Sequence, residues 1–307
     1  MMKIVFISGV RFGLDLLRFI LDNKWKVSAV FSYADSKKKN YSDYASFDEI
    51  TREYKIKHVK VQNINDKENV KELKSINPDL ILVMGWSQIL KREILTIPRI
   101  GIIGSHPTML PKYRGRAPIP WSIIKGLKES ALTFFYMKEG TDDGDILDQR
   151  KFKISSNDDA TSLYEKITNL GKIMLLKNLQ LLQNGKENRV AQDESKFLEY
   201  WPKRTPEDGK IDWLKPGQEI HALIRATTHP YPGAFYFFNA LKLKIWKAKY
   251  VDETSLGAGK IGEINDEGVK VGTGKGNILL QRVSLDGDEE TFATKIFSED
   301  DRDSILG

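Results

Sequence analysis

The stretch IGIIGSHPTMLPKYRGRAPIPWSIIKGLKESALTFFYMKEGTDDGDILDQ (residues 100–149) holds two apolar runs, IGIIGS (100–105) and LTFFYM (132–137). A segment of helical periodicity, APIPWSIIKG (117–126), lies between them. Short continuous apolar runs spaced by helices indicate strands buried on both faces of a mostly parallel sheet. The same alternation runs back to the N-terminus. KIVFIS (3–8), KVSAVFS (26–32), HVKV (58–61) and LILVMG (80–85) read as strands. LDLLRFILDN (14–23), YASFDEITREY (44–54) and NDKENVKELKSI (65–76) read as the helices between them. A long amphipathic helix follows over 160–185. The next segment, KENRVAQDESKFLEYWPKRTPEDGKIDW (186–213), is polar, with two prolines. Beyond it come one helix, GQEIHALIRAT (217–227), and five short β-like segments separated by Gly and Asn/Asp turns. The expected architecture is α/β: a Rossmann-like, mostly parallel sheet domain over 1–188, a linker over 189–210, and a small β-rich, barrel-like (OB-like) domain over 211–307.

Composition narrows the chemistry. The 307 residues are 40% hydrophobic and 29% charged, the balance of a globular chain. No run of 18 apolar residues exists and the N-terminus enters a strand directly, so a cytoplasmic protein with no membrane association is expected. The absence of cysteine excludes disulfides and thiolate sites. The four histidines (His58, His106, His221, His229) are not paired at ligand spacing, so no metal is expected. The net charge of +6 is uneven. Residues 201–307 hold 15 Lys and Arg against 17 Asp and Glu, and residues 1–200 hold 33 against 25. An acidic C-terminal third disfavours a nucleic-acid-binding appendage. The basic excess fits either a lysine-rich solvated surface or an anionic small substrate on the first domain.

The first βα turn, GVRFG (9–13), lacks the spacing of a dinucleotide fingerprint, and no P-loop or nucleophile-elbow motif occurs. His106 is the more informative residue. It ends a strand, Pro107 stops that strand, and the carboxyl ends of parallel strands are where open α/β sheets bind ligands. Asp142 and Asp143 follow in a Gly-flanked turn after another strand. A His and an Asp over one sheet edge form a proton-transfer pair, although a lone buried His is more often structural.

HPTMLPKYRGRAPIPW (106–121), EGTDDGDIL (139–147), RTPEDGKIDW (204–213) and THPYPGAF (228–235) resemble the folate-dependent formyltransferase family over the whole chain. That family includes methionyl-tRNA, glycinamide ribonucleotide and sugar-nucleotide N-formyltransferases. The resemblance implies N10-formyltetrahydrofolate as formyl donor, an amine as acceptor, and a catalytic set of an Asn-x-His pair with a distant Asp. His106 and Asp142 match the His and Asp. Gln88, Ile89 and Leu90 match a stretch lining the pterin site, and Lys138, Glu139, Gly140, Thr141 and Asp142 match the loop opposite. Arg116 matches a cofactor-contacting arginine. Ordinary core packing competes for Ile89 and Leu90.

At the family's Asn position this chain has Gly104. The Asn amide is an oxyanion donor, and losing one such donor costs about 10²–10³ in rate. Three readings remain open: His106 as imidazolium with a water replaces it, a backbone amide does, or the protein is a catalytically impaired binding relative. An Asn restored at position 104 is expected to be tolerated if the slot is open. Gly9 and Arg11 in the first βα loop, at a helix N-terminus, are expected to hold part of a nucleoside diphosphate, against a solvated Arg11. The motifs read closest to the sugar branch. The expected acceptor is therefore a nucleoside-diphosphate amino sugar, with methionyl-tRNA as the alternative and no nucleic acid in the main reading. A homodimer is implied at family level only.

Overall fold

A computed structural model describes residues 2–306. The first compact unit comprises the chain up to Pro118, Glu129–Lys153 and Tyr164–Pro202. Its main sheet has seven strands in the order β3-β2-β1-β4-β5-β7-β8. These are β1 Ile4–Ile7, β2 Val27–Tyr33, β3 Lys57–Val61, β4 Leu80–Val83, β5 Gly101–His106, β7 Glu129–Tyr136 and β8 Ile146–Lys153. The first five run parallel, while β7 pairs antiparallel to both β5 and β8. Every side chain of β1 is fully buried, because the strand lies between β2 and β4 with both faces covered. The helices α1 Arg11–Asp22, α2 Asp48–Glu53, α3 Lys67–Ile76 and α4 Arg92–Leu95 connect these strands. Helix α6 Ala160–Gln183 follows β8, and α5 Pro118–Ile124, which follows β5, belongs from Ile119 onward to the second unit.

Two elements depart from the sequence expectation. β8, ILDQRKFK, is an edge strand with a largely polar pattern, which hides it from a search for apolar runs. The stretch expected as a linker over 189–210 is partly structured. Val190 bridges to Ile146, and strand β9 Glu199–Trp201 pairs parallel with β6 Tyr113–Gly115.

The second unit comprises Ile119–Lys128, Ile154–Leu163 and the chain from Lys203 onward. Its sheet is antiparallel in the order β10-β11-β14-β13-β12, with β15 on β14. The strands are β10 Ala234–Phe238, β11 Leu241–Val251, β12 Ile261–Asn265, β13 Gly268–Gly272, β14 Asn277–Leu285 and β15 Thr291–Phe292. Helix α7 Gly217–Thr227 sends Ile220 and Ile224 into a core with Leu243, Ile245, Val271, Ile278 and Leu280.

His221, on the same helix, is only partly exposed. Burial first, and then the charge of Arg225, push its pKa down to about 4. Folding therefore excludes a proton that the unfolded chain accepts below about pH 6.5. Stability is expected to fall as pH drops from about 6.5 to about 4. Urea unfolding across this window should show that decline, and His221→Gln should flatten it. A His221→Gln profile parallel to the parent would assign the pH dependence to other groups.

Candidate active site

The short strand β6 organises the site. His106, the last residue of β5, is 5% exposed. Its Nε2 lies 2.9 Å from the carbonyl oxygen of Tyr113, to which Thr108 Oγ1 also donates at 2.6 Å. A carbonyl only accepts, so Nε2 carries the hydrogen and Nδ1 is the nitrogen left to act. Nδ1 faces Asp142 Oδ2 at 3.6 Å. That is close enough for charges to interact, yet longer than a hydrogen bond, so either group can turn toward a third. The same Oδ2 accepts from the amide of Gly115 at 3.0 Å. Tyr113 and Gly115 thus hold His106 and Asp142 from the two ends of one three-residue strand.

β6 is itself held by β9. The Trp201 ring stacks on Tyr113 at 4.5 Å and 15°, and the Arg116 amide donates to Trp201 O at 2.8 Å. Gly115 has φ +108°, and a Cβ there would come 2.4 Å from Trp201 O. Only glycine meets both demands.

The turn carrying Asp142 is equally constrained. Asp142 has φ +54°. Gly144 lies so close to β7 that a Cβ would meet Tyr136 O. Gln192 Nε2 donates to Asp142 O at 2.8 Å and Gly144 O at 2.7 Å. Lys138 and Arg189 ion-pair with Asp145 and hold its carboxyl below the usual carboxylate range. Glu139, Gly140 and Thr141 are exposed, with Glu139 3.9 Å from Arg92 Nε. Asp143 folds over Gly140, and its buried Oδ1 has no hydrogen-bond partner among the described residues.

On the other side, Trp86 stacks on Tyr33 at 3.9 Å, and Tyr33 stacks on Tyr41 at 4.3 Å. The buried Trp86 Nε1 also has no partner among the described residues. Arg116 is exposed and reaches back to Ser87 O at 3.4 Å. Ile89 is 64% exposed. The side chains of Gln88 and Leu90 look inward instead. Gln88 bonds Ile64 N and Gln62 O, and Leu90 is 1% exposed in the core, where packing accounts for it. An unpaired acceptor on one loop and an unpaired donor on the other suit a heterocycle with polar edges and an apolar body, as a pterin is.

Two sequence expectations meet a different arrangement. The first βα turn is shorter than read, because α1 already begins at Arg11. The Val10, Arg11 and Phe12 amides donate to Ser8 Oγ, Asp43 O and Tyr164 Oη. Tyr164 in turn donates to the Asp43 carboxylate at 3.0 Å, and burial pushes that carboxyl's pKa up. Gly9 is packed beneath the Tyr33 ring, and Arg11 is exposed. The chain's own groups thus occupy the amides expected to hold a diphosphate. The slot at Gly104 is tight rather than open. A Cβ there would lie 3.0 Å from Met137 Cγ, 3.2 Å from Met137 Sδ and 3.2 Å from Phe135 Cζ.

Tyr113, Gln192 and Trp201 were not singled out from the sequence. The one available signal was the aromatic pair Tyr200–Trp201 inside a polar stretch, which a linker does not require.

Residues 2–179 match the family described as Formyl transferase, and residues 203–300 match Formyl transferase, C-terminal domain. The chain belongs to the formyltransferase family. It is a folate-dependent N-formyltransferase in class. It is 34% identical over 287 residues to the methionyl-tRNA formyltransferase of Clostridioides difficile (strain 630), covering 92% of each chain. The Helicobacter canadensis N-formyltransferase, solved with folinic acid and dTDP-3-aminofucose, aligns at 25% identity and TM-score 0.68, covering 92% of this chain and 99% of that one. HypX from Aquifex aeolicus, solved with tetrahydrofolic acid, shares the fold at 20% identity and TM-score 0.69, over 97% of this chain and 47% of its own.

The crowding at Gly104 gives a direct test. Gly104→Asn is expected to cost about 1–3 kcal/mol of stability by overpacking. Combining it with Met137→Ala should cost less than the two changes summed, because the thioether then yields the space. Denaturant unfolding of the two single variants and the double variant measures the coupling. Strict additivity would show that residues 104 and 137 do not compete.

Proposed function

We propose that this formyltransferase acts on the amine of methionyl-tRNA. The observation that carries this reading is the 34% identity to a methionyl-tRNA formyltransferase over 92% of both chains. Charge placement supports it once the C-terminal third is resolved more finely. The acidic excess there comes from residues 286–303, with eight Asp and Glu against two Lys and Arg. The remainder, 201–285, holds 13 Lys and Arg against nine Asp and Glu.

Four of those cations, Lys242, Lys244, Lys247 and Lys249, lie along β11. Lys242, Lys244 and Lys247 are cross-strand partners of Phe237, Phe235 and Arg282, which sets cations and aromatics on one face. Lys242 Nζ sits 3.7 Å from the Phe235 ring centre, and Arg282 Cζ sits 4.7 Å from that of Phe292. A basic face interleaved with aromatics is suited to phosphates and bases.

When bound, N10-formyltetrahydrofolate supplies the formyl carbon that the acceptor amine attacks. Arg116, Ile89, the Trp86 Nε1 donor and the Asp143 Oδ1 acceptor are the groups to hold it. Asp142 takes the proton from the attacking amine, directly or through water; the formyl C–N10 bond then breaks, and the proton goes to N10, which leaves as tetrahydrofolate. His106, with Nε2–H donating to Tyr113 O, serves the charge that builds on the formyl oxygen as an imidazolium, whose Nδ1–H is then the donor. Gly104 supplies no side chain for that task, so His106 carries more of it.

A second reading, formylation of a nucleoside-diphosphate amino sugar, is favoured by the likeness to the Helicobacter canadensis enzyme over 99% of its length. Purified enzyme with N10-formyltetrahydrofolate should formylate charged initiator tRNA and leave amino-deoxysugar nucleotides unchanged, as followed by mass spectrometry. Formylation of the sugars alone would put the second reading in its place.

Asp142→Asn should lower turnover about 10²–10⁴-fold, the contribution of a general base, with folate binding kept. Turnover within roughly threefold of the parent would remove Asp142 from the chemistry, since a base contributes far more.

A further inference from the structure

Gln192 lies in the polar stretch after α6, yet every polar position of its side-chain amide is committed. Its two N–H groups go to the carbonyls of Asp142 and Gly144, and its Oε1 accepts from Arg114 Nη2 at 2.8 Å. The orientation of the amide is unambiguous, because carbonyls only accept and a guanidinium only donates. Arg114 is the middle residue of β6 and is 4% exposed. It is gripped by Glu194 at 2.5 and 3.1 Å and lies 5.4 Å from the Phe197 ring centre.

These bonds close a ring. From Arg114 it passes through Gln192 to the main chain of Asp142. The Asp142 carboxylate then returns to the amide of Gly115, the neighbour of Arg114. Asp142 has φ +54°, in the left-handed region that L residues other than Gly enter sparingly. A carboxylate on such a residue points where the turn points, and Gln192 is bonded to the turn's carbonyls on both sides of Asp143.

We propose that Gln192 is a positioning residue for formyl transfer, holding the Asp142 turn so that its carboxylate stays between Gly115 N and His106 Nδ1. This rests on the reading that Asp142 takes the amine's proton, and it holds for either acceptor. Gln192→Met keeps the length of the side chain and removes all three bonds. Gln192→Glu keeps the length and adds an ion pair with Arg114, which favours folding, but sets an oxygen against two carbonyls.

Both variants are expected to lower kcat about 10–100-fold, the scale for misplacing a catalytic group. KM for N10-formyltetrahydrofolate is expected to change less than kcat, since only Asp143 of the same turn faces the cofactor. The deciding measurement is single-turnover kinetics of Gln192→Met in the parent and in an Asp142→Asn background. If Gln192 acts through the Asp142 carboxylate, the loss disappears once that carboxylate is gone. An equal loss in both backgrounds, or a loss confined to KM, would overturn the proposal and leave Gln192 a general structural tie. Full kcat in both Gln192 variants, beside a crippled Asp142→Asn, would overturn it while leaving the role of Asp142 intact. Full turnover in Asp142→Asn would instead end both.

Discussion

The parallel pairing of Tyr113–Gly115 with Glu199–Trp201 is three residues long, and the geometry around His106 and Asp142 depends on it. Three residues of sheet are marginal by themselves. Here the pair is reinforced by the stacked Tyr113 and Trp201 rings and by a glycine that admits the partner backbone at a distance no other residue allows. In return, β6 presents one carbonyl to His106 and one amide to Asp142. Main-chain groups two residues apart on a strand have a fixed separation. The spacing of His106 and Asp142 is thereby set by backbone geometry rather than by rotamers.

The same arrangement gives the two ring nitrogens of His106 different surroundings. Tying Nε2 to a carbonyl fixes the tautomer and leaves Nδ1 aimed at Asp142. The buried main sheet behind β5 supplies rigidity. Met137 and Phe135 fill the space beside Gly104 that a longer side chain would otherwise use. Replacing Gly104 is therefore a packing question as much as a chemical one, which its position in a motif could not reveal.

Much of the fold was legible because its signals are local. Continuous apolar strands such as Ile4–Ile7 and Leu80–Val83, and the helical periodicity of Gly217–Thr227, are properties of neighbouring residues. β8 escaped because an edge strand exposes polar side chains. His106 and Asp142 were legible from their motifs, but what holds them was not. Gln192 and Trp201 act over 50 and 86 residues of chain, on Asp142 and Gly115. Their surroundings, rich in Lys, Glu and Asp, carry the composition of a tether. Nothing local distinguishes a polar strap bonded along its length from one that floats free. The expected anion site at Gly9 and Arg11 failed for a related reason, since its occupants, Asp43 and Tyr164, come from elsewhere in the chain.

That occupied helix end has a consequence for how the enzyme reads its substrates. A helix N-terminus grips phosphate through fixed dipoles at short range, an attraction that is only partly weakened by dissolved ions. With Asp43 and Tyr164 seated there, a phosphorylated acceptor of the kind proposed above would be met by flexible cationic side chains such as those of β11. Attraction of that kind works through the exchange of condensed counterions. On that proposal the ionic strength of the medium, rather than the shape of a preformed cradle, would govern how long an acceptor dwells on the protein.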